Sequence, residues 1–201
     1  MIKRYNIFAV LTLWYSLVIT SCANTNESEK FVSMDFNIDN SVLSPPKVIL
    51  GSYSIQLPIV FNAMGDEIFK NIKQGVENQE TYILKPEVIE AYSDTSNNII
   101  IFSKLNESDL LQKLENDFTP NLRDLYPEKF AKSYFSINNI QVVYFQLYNK
   151  DFRNHKIFLL DGSGFQLDFM IKNNRYREYS RFIESSIGTL KRNNTKENTN
   201  A

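Results

Sequence analysis

The run Ile140 to Tyr148 places apolar side chains on both sides of an extended chain: Ile140, Val142 and Tyr144 point one way, and Val143, Phe145 and Leu147 the other. A strand with that pattern can give neither face to water, so it demands a place inside a sheet with helices above and below. Its flanks supply the sheet. Tyr134 to Ile137 precedes it across Asn138-Asn139, a pair that tolerates the left-handed geometry of a tight hairpin. Ile157 to Leu160 and Phe165 to Ile171 form a second hairpin around Asp161-Gly162-Ser163-Gly164. Tyr176, Tyr179, Ile183, Ser186, Ile187 and Leu190 then recur on one stripe of a terminal helix. Adjacent antiparallel strands closed by a helix predict an α+β fold, an antiparallel sheet flanked by helices.

The first half is more broken. Tyr53 to Leu57 reads as a short strand closed by Pro58, and Met64, Ile68, Ile72 and Val76 as the stripe of a helix whose start carries Asp66 and Glu67. Ile99 to Phe102 is a compact buried strand after the Asn97-Asn98 turn. Asn106 is placed to cap a helix bearing Leu110, Leu111, Leu114 and Phe118, with Pro120 ending it. Upstream, Val32, Met34, Phe36 and Ile38 alternate with polar residues as in a half-buried strand. Asp35, Asn37 and Asp39 match the first three ligand positions of a calcium loop, but Asn40 and Pro46 stand where that loop needs Gly and Glu.

The two ends are different in kind. Lys3 and Arg4, the largely apolar stretch Ile7 to Ile19, and small Thr20 and Ser21 make Met1 to Ser21 read as an export leader, cut between Ser21 and Cys22. The leader resembles a bacterial lipobox, which implies a diacylglycerol on the Cys22 thiol, a further fatty acyl group such as palmitate on the new N-terminus, and a membrane partner held through lipid rather than a spanning helix. Ala23 rather than Asp after the cysteine favours the outer over the inner membrane of a bacterial envelope, facing the periplasm. The chain thus divides into a leader (1–21), a lipidated tether (22–30), a strand with a proline linker (31–46), a main domain (47–191) and a polar, disordered tail (192–201).

Composition excludes several classes of chemistry. Losing the leader takes 2 of the 22 basic side chains, leaving 20 against 23 acidic ones with their charges mixed, so nucleic acid is not an expected partner. Cys22 is the one cysteine, and once acylated it leaves no thiol for a disulfide, a nucleophile or a metal. His155 is the one histidine; it lies in Asn149 to Lys156, a polar stretch that reads as a solvated connection between strands. No phosphate-binding glycine loop or GxSxG serine occurs. No catalytic residue, metal ligand or cofactor is therefore expected.

What is left is modest. Glu87 with Glu90 and Asp66 with Glu67 are the local carboxylate pairs a hydrolase could use. Asp168 sits mid-strand among apolar residues and, if covered, needs a cation such as Lys156 or Arg177. Tyr126, Tyr134, Tyr144 and Tyr148 make the second half rich in a residue favoured at interfaces and form the candidate binding face.

Three segments carry a resemblance: Gly51 to Pro58 (GSYSIQLP), the hairpin 155 to 171 (HKIFLLDGSGFQLDFMI) and the closing helix 175 to 190 (RYREYSRFIESSIGTL). They resemble the PsbP-like family, which includes the photosystem II extrinsic protein, a nuclear Ran-binding relative and bacterial lipoproteins. After Pro58 this chain has Ile59-Val60-Phe61 where that family often has Gly-Trp. The resemblance implies an antiparallel sheet with helices on both faces and a role in binding or assembly. The expectation is a lipid-anchored, non-enzymatic binding or assembly module with a protein partner; a carboxylate hydrolase or a passive structural lipoprotein are the alternatives.

Overall fold

Both hairpins form, and both turns use left-handed backbone. Asn138 and Asn139 have φ of 49° and 63°, and Gly162 and Gly164 have 63° and 79°, geometry that Asn and Gly adopt at least cost. The structure, a computed structural model, describes residues 30–49, 53–78, 83–126, 130–160, 162 and 164–193. The expected leader, Cys22, the tether to residue 29 and tail residues 194–201 lie outside the described residues, as do Gly51, Ser52, Asp161 and Ser163.

In chain order the strands are β1 (Val32–Ser33), β2 (Lys47–Ile49), β3 (Tyr53–Ile55), β4 (Asn62–Ala63), β5 (Glu87–Ser93), β6 (Ile99–Lys104), β7 (Phe130–Ile137), β8 (Ile140–Tyr148), β9 (Phe152–Leu159), β10 (Phe165–Lys172) and β11 (Lys191–Arg192). One sheet runs β1-β7-β8-β9-β10-β6-β5-β4, antiparallel except where β1 joins β7 in parallel. A second, three-stranded sheet runs β11-β3-β2. The helices are α1 (Asp66–Glu77), α2 (Leu110–Lys113, a π-helical turn at Leu114–Phe118, then Thr119–Leu125) and α3 (Tyr176–Gly188). Among the described residues no helix is long and apolar enough to cross a membrane.

Burial follows the pleat. One face of the large sheet gives Val142, Ile157, Leu159, Leu167, Phe169, Ile100 and Phe102 to a core shared with Tyr179, Ile183 and Ile187 of α3, and with Tyr53 and Ile55 of β3. On the other face Phe118 of α2 meets Phe145 and Phe158 edge-on at 5.4 and 5.3 Å, while Phe69, Ile72 and Val76 of α1 pack on Val88, Ala91 and Ile101. The expected α+β architecture, a predominantly antiparallel sheet flanked by helices, is present, and β8 is interior as its two apolar faces require.

Five local expectations are corrected. The alternating segment from Val32 yields only a two-residue strand, and Val32 is 65% exposed; beyond Ser33 the chain leaves the sheet edge and runs as an irregular strap toward α3. There Asp39 is committed to protein partners: its backbone N–H donates to Ser185 Oγ at 3.1 Å, and its carboxylate accepts from Ser41 and pairs with Arg181. Ile68 stands outside the partly buried, packed stripe of α1 at 59% exposure, its place taken by Phe69. Asn106 does not cap α2, which begins at Leu110 after Asp109. Pro120 does not end it either: it enters just after the π-helical turn, where the Leu114 carbonyl accepts from the Thr119 N–H and hydroxyl instead, so the missing proline N–H interrupts the ladder only locally. Finally, the tail does not begin at 192, because Lys191 and Arg192 pair with Ser54 and Tyr53 as β11.

Candidate functional site

His155 is not a loop residue. It lies in β9, paired with Gln146 of β8 and Phe169 of β10, and is 3% exposed. The polar stretch Asn149 to Lys156 contains only a tight turn, closed by Asn149 Oδ1 accepting from the N–H groups of Asp151 and Phe152. From Phe152 onward the chain is strand, because β8 and β10 on either side offer a full row of backbone partners.

The pleat sends Arg153 and His155 toward α3, alongside Tyr144, Gln146 and Tyr148 of β8. Tyr176, the first residue of α3, stacks on the imidazole with centroids 5.5 Å apart and planes 12° from parallel. Gln146 Nε2 donates to the Tyr176 hydroxyl at 2.9 Å and fixes that ring. The Arg153 guanidinium covers the same ring, 3.8 Å from its centroid, and reaches the Tyr148 ring at 5.0 Å. The Tyr144 hydroxyl is hydrogen-bonded to His155 Nδ1, whereas His155 Nε2 is buried without a hydrogen-bond partner among the described residues.

Electrostatics keeps this group uncharged. Burial, assisted by the positive charge of Arg153, brings the His155 pKa down to about 4. Burial also pushes the Tyr144 hydroxyl well above its ordinary value, with Tyr176, Tyr148 and Glu184 adding to the shift. Near neutral pH the pair is a neutral imidazole bonded to a protonated phenol.

Around this pair α3 and the sheet diverge, leaving a cleft of about 360 Å³. Phe135, Tyr144 and His155 form its floor, and Tyr176, Ile183 and Ile187 one wall. The strap from Met34 to Asn37 forms the other, with Phe36 against Phe135 at 5.7 Å between centroids. Asp35 and Glu184, both exposed, are its two carboxylates, and among the described residues no lysine or arginine lines it.

The tyrosines expected to make one binding face are divided by the sheet. Tyr144 and Tyr148 point to the α3 side. Tyr134, opposite Val143, points to the α2 side, where it bonds Glu115, and Tyr126 follows the end of α2 on that side. Only Tyr144 lines the cleft; its aromatic companions Tyr176, Phe135 and Phe36 come from other elements. The carboxylate pairs lie elsewhere too. Glu87 and Glu90 are on β5, where Glu90 Oε2 accepts from the Tyr92 hydroxyl at 2.5 Å, and Asp66 and Glu67 occupy the first turn of α1.

Asp168 is buried as expected and paired with Lys156 at 2.8 Å, while Gln166 Nε2 donates to its second oxygen at 2.6 Å. A second buried carboxylate, Asp94, joins the β5–β6 turn to α3. It accepts from Asn98 N at 2.8 Å, Asn98 Nδ2 at 2.7 Å, Ser96 N at 2.8 Å and the Tyr179 hydroxyl. Burial pushes that carboxyl up, yet the hydrogen bonds outweigh it and hold the pKa below the usual carboxylate range. Sequence reasoning had no signal for Asp94, which looks like any turn aspartate.

Nothing in the cleft assembles a hydrolytic triad. His155 Nδ1 is taken by a phenol rather than a carboxylate, and among the described residues no serine hydroxyl reaches Nε2. No protein-family model matches the chain, and no curated protein matches it. Among solved structures, the solution structure of cyanobacterial PsbP (CyanoP) from Synechocystis sp. PCC 6803 superposes with a TM-score of 0.46 at 9% identity, covering 79% of this chain and 96% of that one.

Proposed function

We propose that this chain is a lipid-anchored protein of the bacterial envelope that acts as a non-enzymatic binding module through the cleft beside α3. The observation that carries the reading is the environment of His155: a neutral imidazole, oriented by Tyr144 and Tyr176, at the bottom of a half-enclosed aromatic cleft with no nucleophile in reach of its free nitrogen. A volume of about 360 Å³ lies in the range of small-molecule sites. Asp35 and Glu184 stand exposed at the rim, without the apolar enclosure that prepares a carboxyl for general-acid work, which supports binding over carboxylate hydrolysis at this cleft. The anchor rests on the leader and Cys22.

Hydrogen exchange of the full chain, with and without the small-molecule fraction of an envelope extract, tests the cleft. Protection should gather on β8, β9 and α3 and vanish when Ile187→Trp fills the space. Turnover of ester or glycoside substrates that Glu184→Gln abolishes would overturn the reading in favour of an enzyme. For the anchor, Cys22→Ala should end labelling by a fatty-acid probe; labelling that persists would refute it.

A further inference from the structure

The unpartnered nitrogen of His155 specifies what the cleft accepts. Among the described residues Nδ1 is the one hydrogen-bond partner of the Tyr144 hydroxyl. That hydroxyl must donate its proton to Nδ1 or leave it unpaired, and burial, which lifts the phenol's pKa, keeps the proton in place. An Nδ1 that accepts leaves the ring proton on Nε2. The free nitrogen is therefore a donor, fully buried, on a side chain only 3% exposed. Buried donors are ordinarily satisfied, and since His155 lines the cleft, an acceptor that settles against its ring from that side completes this one.

The surroundings narrow the class of that acceptor. Phe36, Phe135, Ile183 and Ile187 offer an apolar body space, and the volume fits a compound of one or two rings. Charge selects against anions. The imidazole is neutral, Asp35 and Glu184 are the charged groups of the cleft, and Arg153, the neighbouring cation, is spent on the rings of Tyr176 and Tyr148. We propose that the cleft binds an uncharged apolar carbonyl compound, ring-bearing and small, whose oxygen accepts a hydrogen bond from His155 Nε2–H. This deepens the reading of the chain as a binding module and rests on it.

The single histidine makes the test direct, since every imidazole signal from the full chain in detergent belongs to His155. Three probes of similar size, acetophenone, ethylbenzene and benzoate, separate the requirements. In long-range ¹⁵N spectra of the free protein Nε2 should be protonated and Nδ1 not, and acetophenone should shift Nε2. Acetophenone should bind about three- to tenfold more tightly than ethylbenzene, the worth of one net hydrogen bond, and benzoate should bind more weakly than either. His155→Gln should abolish the preference for acetophenone over ethylbenzene. If that variant fails to fold, Tyr144→Phe, which frees the imidazole to change tautomer, should reduce the same preference. Equal binding of all three probes with shifts at Tyr144 and Ile183 would overturn the ligand class and leave the binding module standing. A proton on Nδ1, tighter binding of benzoate, or no binding of any probe would overturn the proposal, while cleft protection by the extract decides separately whether the module reading survives.

Discussion

Acid should unfold this protein through His155 before it does so through most of its carboxylates. Burial and the charge of Arg153 lower the imidazole pKa from 6.5 to about 4 in the folded chain, whereas the unfolded chain keeps the ordinary value. Between those pH values the unfolded state binds the proton that the folded state refuses, so stability falls as pH falls. The contribution is complete above about pH 6.5 and lost by about pH 4; a gap of this size corresponds to about 3 kcal/mol. That is a large share of the ~5 to 15 kcal/mol available to a domain. The groups packed against the ring offer no rescue: burial keeps the Tyr144 phenol protonated, Tyr176 only stacks on the imidazole, Arg153 opposes the added charge, and Glu184 sits exposed at the rim.

Denaturant unfolding of the wild type and His155→Gln, followed from pH 8 to pH 4, isolates the effect. Carboxylates such as Asp94, whose lowered pKa also makes acid destabilising, are present in both chains and cancel in the difference. The wild-type curve should fall below the variant's by about 3 kcal/mol more at pH 4 than at pH 7, and the imidazole Cε1–H should titrate near 4 in the folded protein. Parallel curves, or a titration midpoint near 6.5, would refute the burial argument and return His155 to the surface.

Three further outcomes are expected. Ile183→Asp places a carboxylate at a site 2% exposed between α3 and the sheet, which should cost several kcal/mol; a melting temperature within a degree or two of wild type would show that α3 does not dock there. Lys156→Met should cost about 3 to 5 kcal/mol because it strands the Asp168 charge; adding Asp168→Asn should recover most of that loss, and no recovery would mean the loss comes from packing. Gly188→Ala sets a Cβ 2.8 Å from Phe36 Cβ and Ile38 Cγ1, so the strap must shift, and amide exchange from Met34 to Asp39 should quicken by at least tenfold while the β9–β10 ladder stays protected.

The sheet and its covering helices were legible because their signals are long. The run Ile140 to Tyr148 has two apolar faces, and the stripe from Tyr176 to Leu190 runs the length of the terminal helix. Asp168 was legible for a related reason: a lone acid in an apolar alternation has to find a cation, and Lys156 is its cross-strand neighbour. The cleft was not. Its floor lies in a stretch whose side chains are polar, and what makes that stretch a strand is the open hydrogen-bonding edges of β8 and β10, a tertiary demand that a local window cannot contain. The alternation Arg153, His155, Ile157, Leu159 was the signal available. The strap failed in the opposite direction, since Val32 to Ile38 alternates perfectly yet Val32, Met34 and Ile38 keep 65%, 42% and 37% of their surface exposed and it is Phe36 that packs on the core.

His155 and Lys156 are consecutive, both buried, and point to opposite faces of the same strand. Lys156 meets Asp168, which Gln166 also serves, so the charge pair on that face is satisfied from within the chain. On the other face Tyr144 satisfies one imidazole nitrogen and leaves the second open. Burial of a polar group carries a desolvation cost whichever face it occupies. Where the partner lies in the same chain, that cost is offset in folding and the residue specifies structure. At His155 Nε2 the described residues offer no partner, and in the proposed reading the offset comes from a molecule entering the cleft; on that reading, removing Lys156 should show in stability alone, and removing His155 in the selectivity of binding as well.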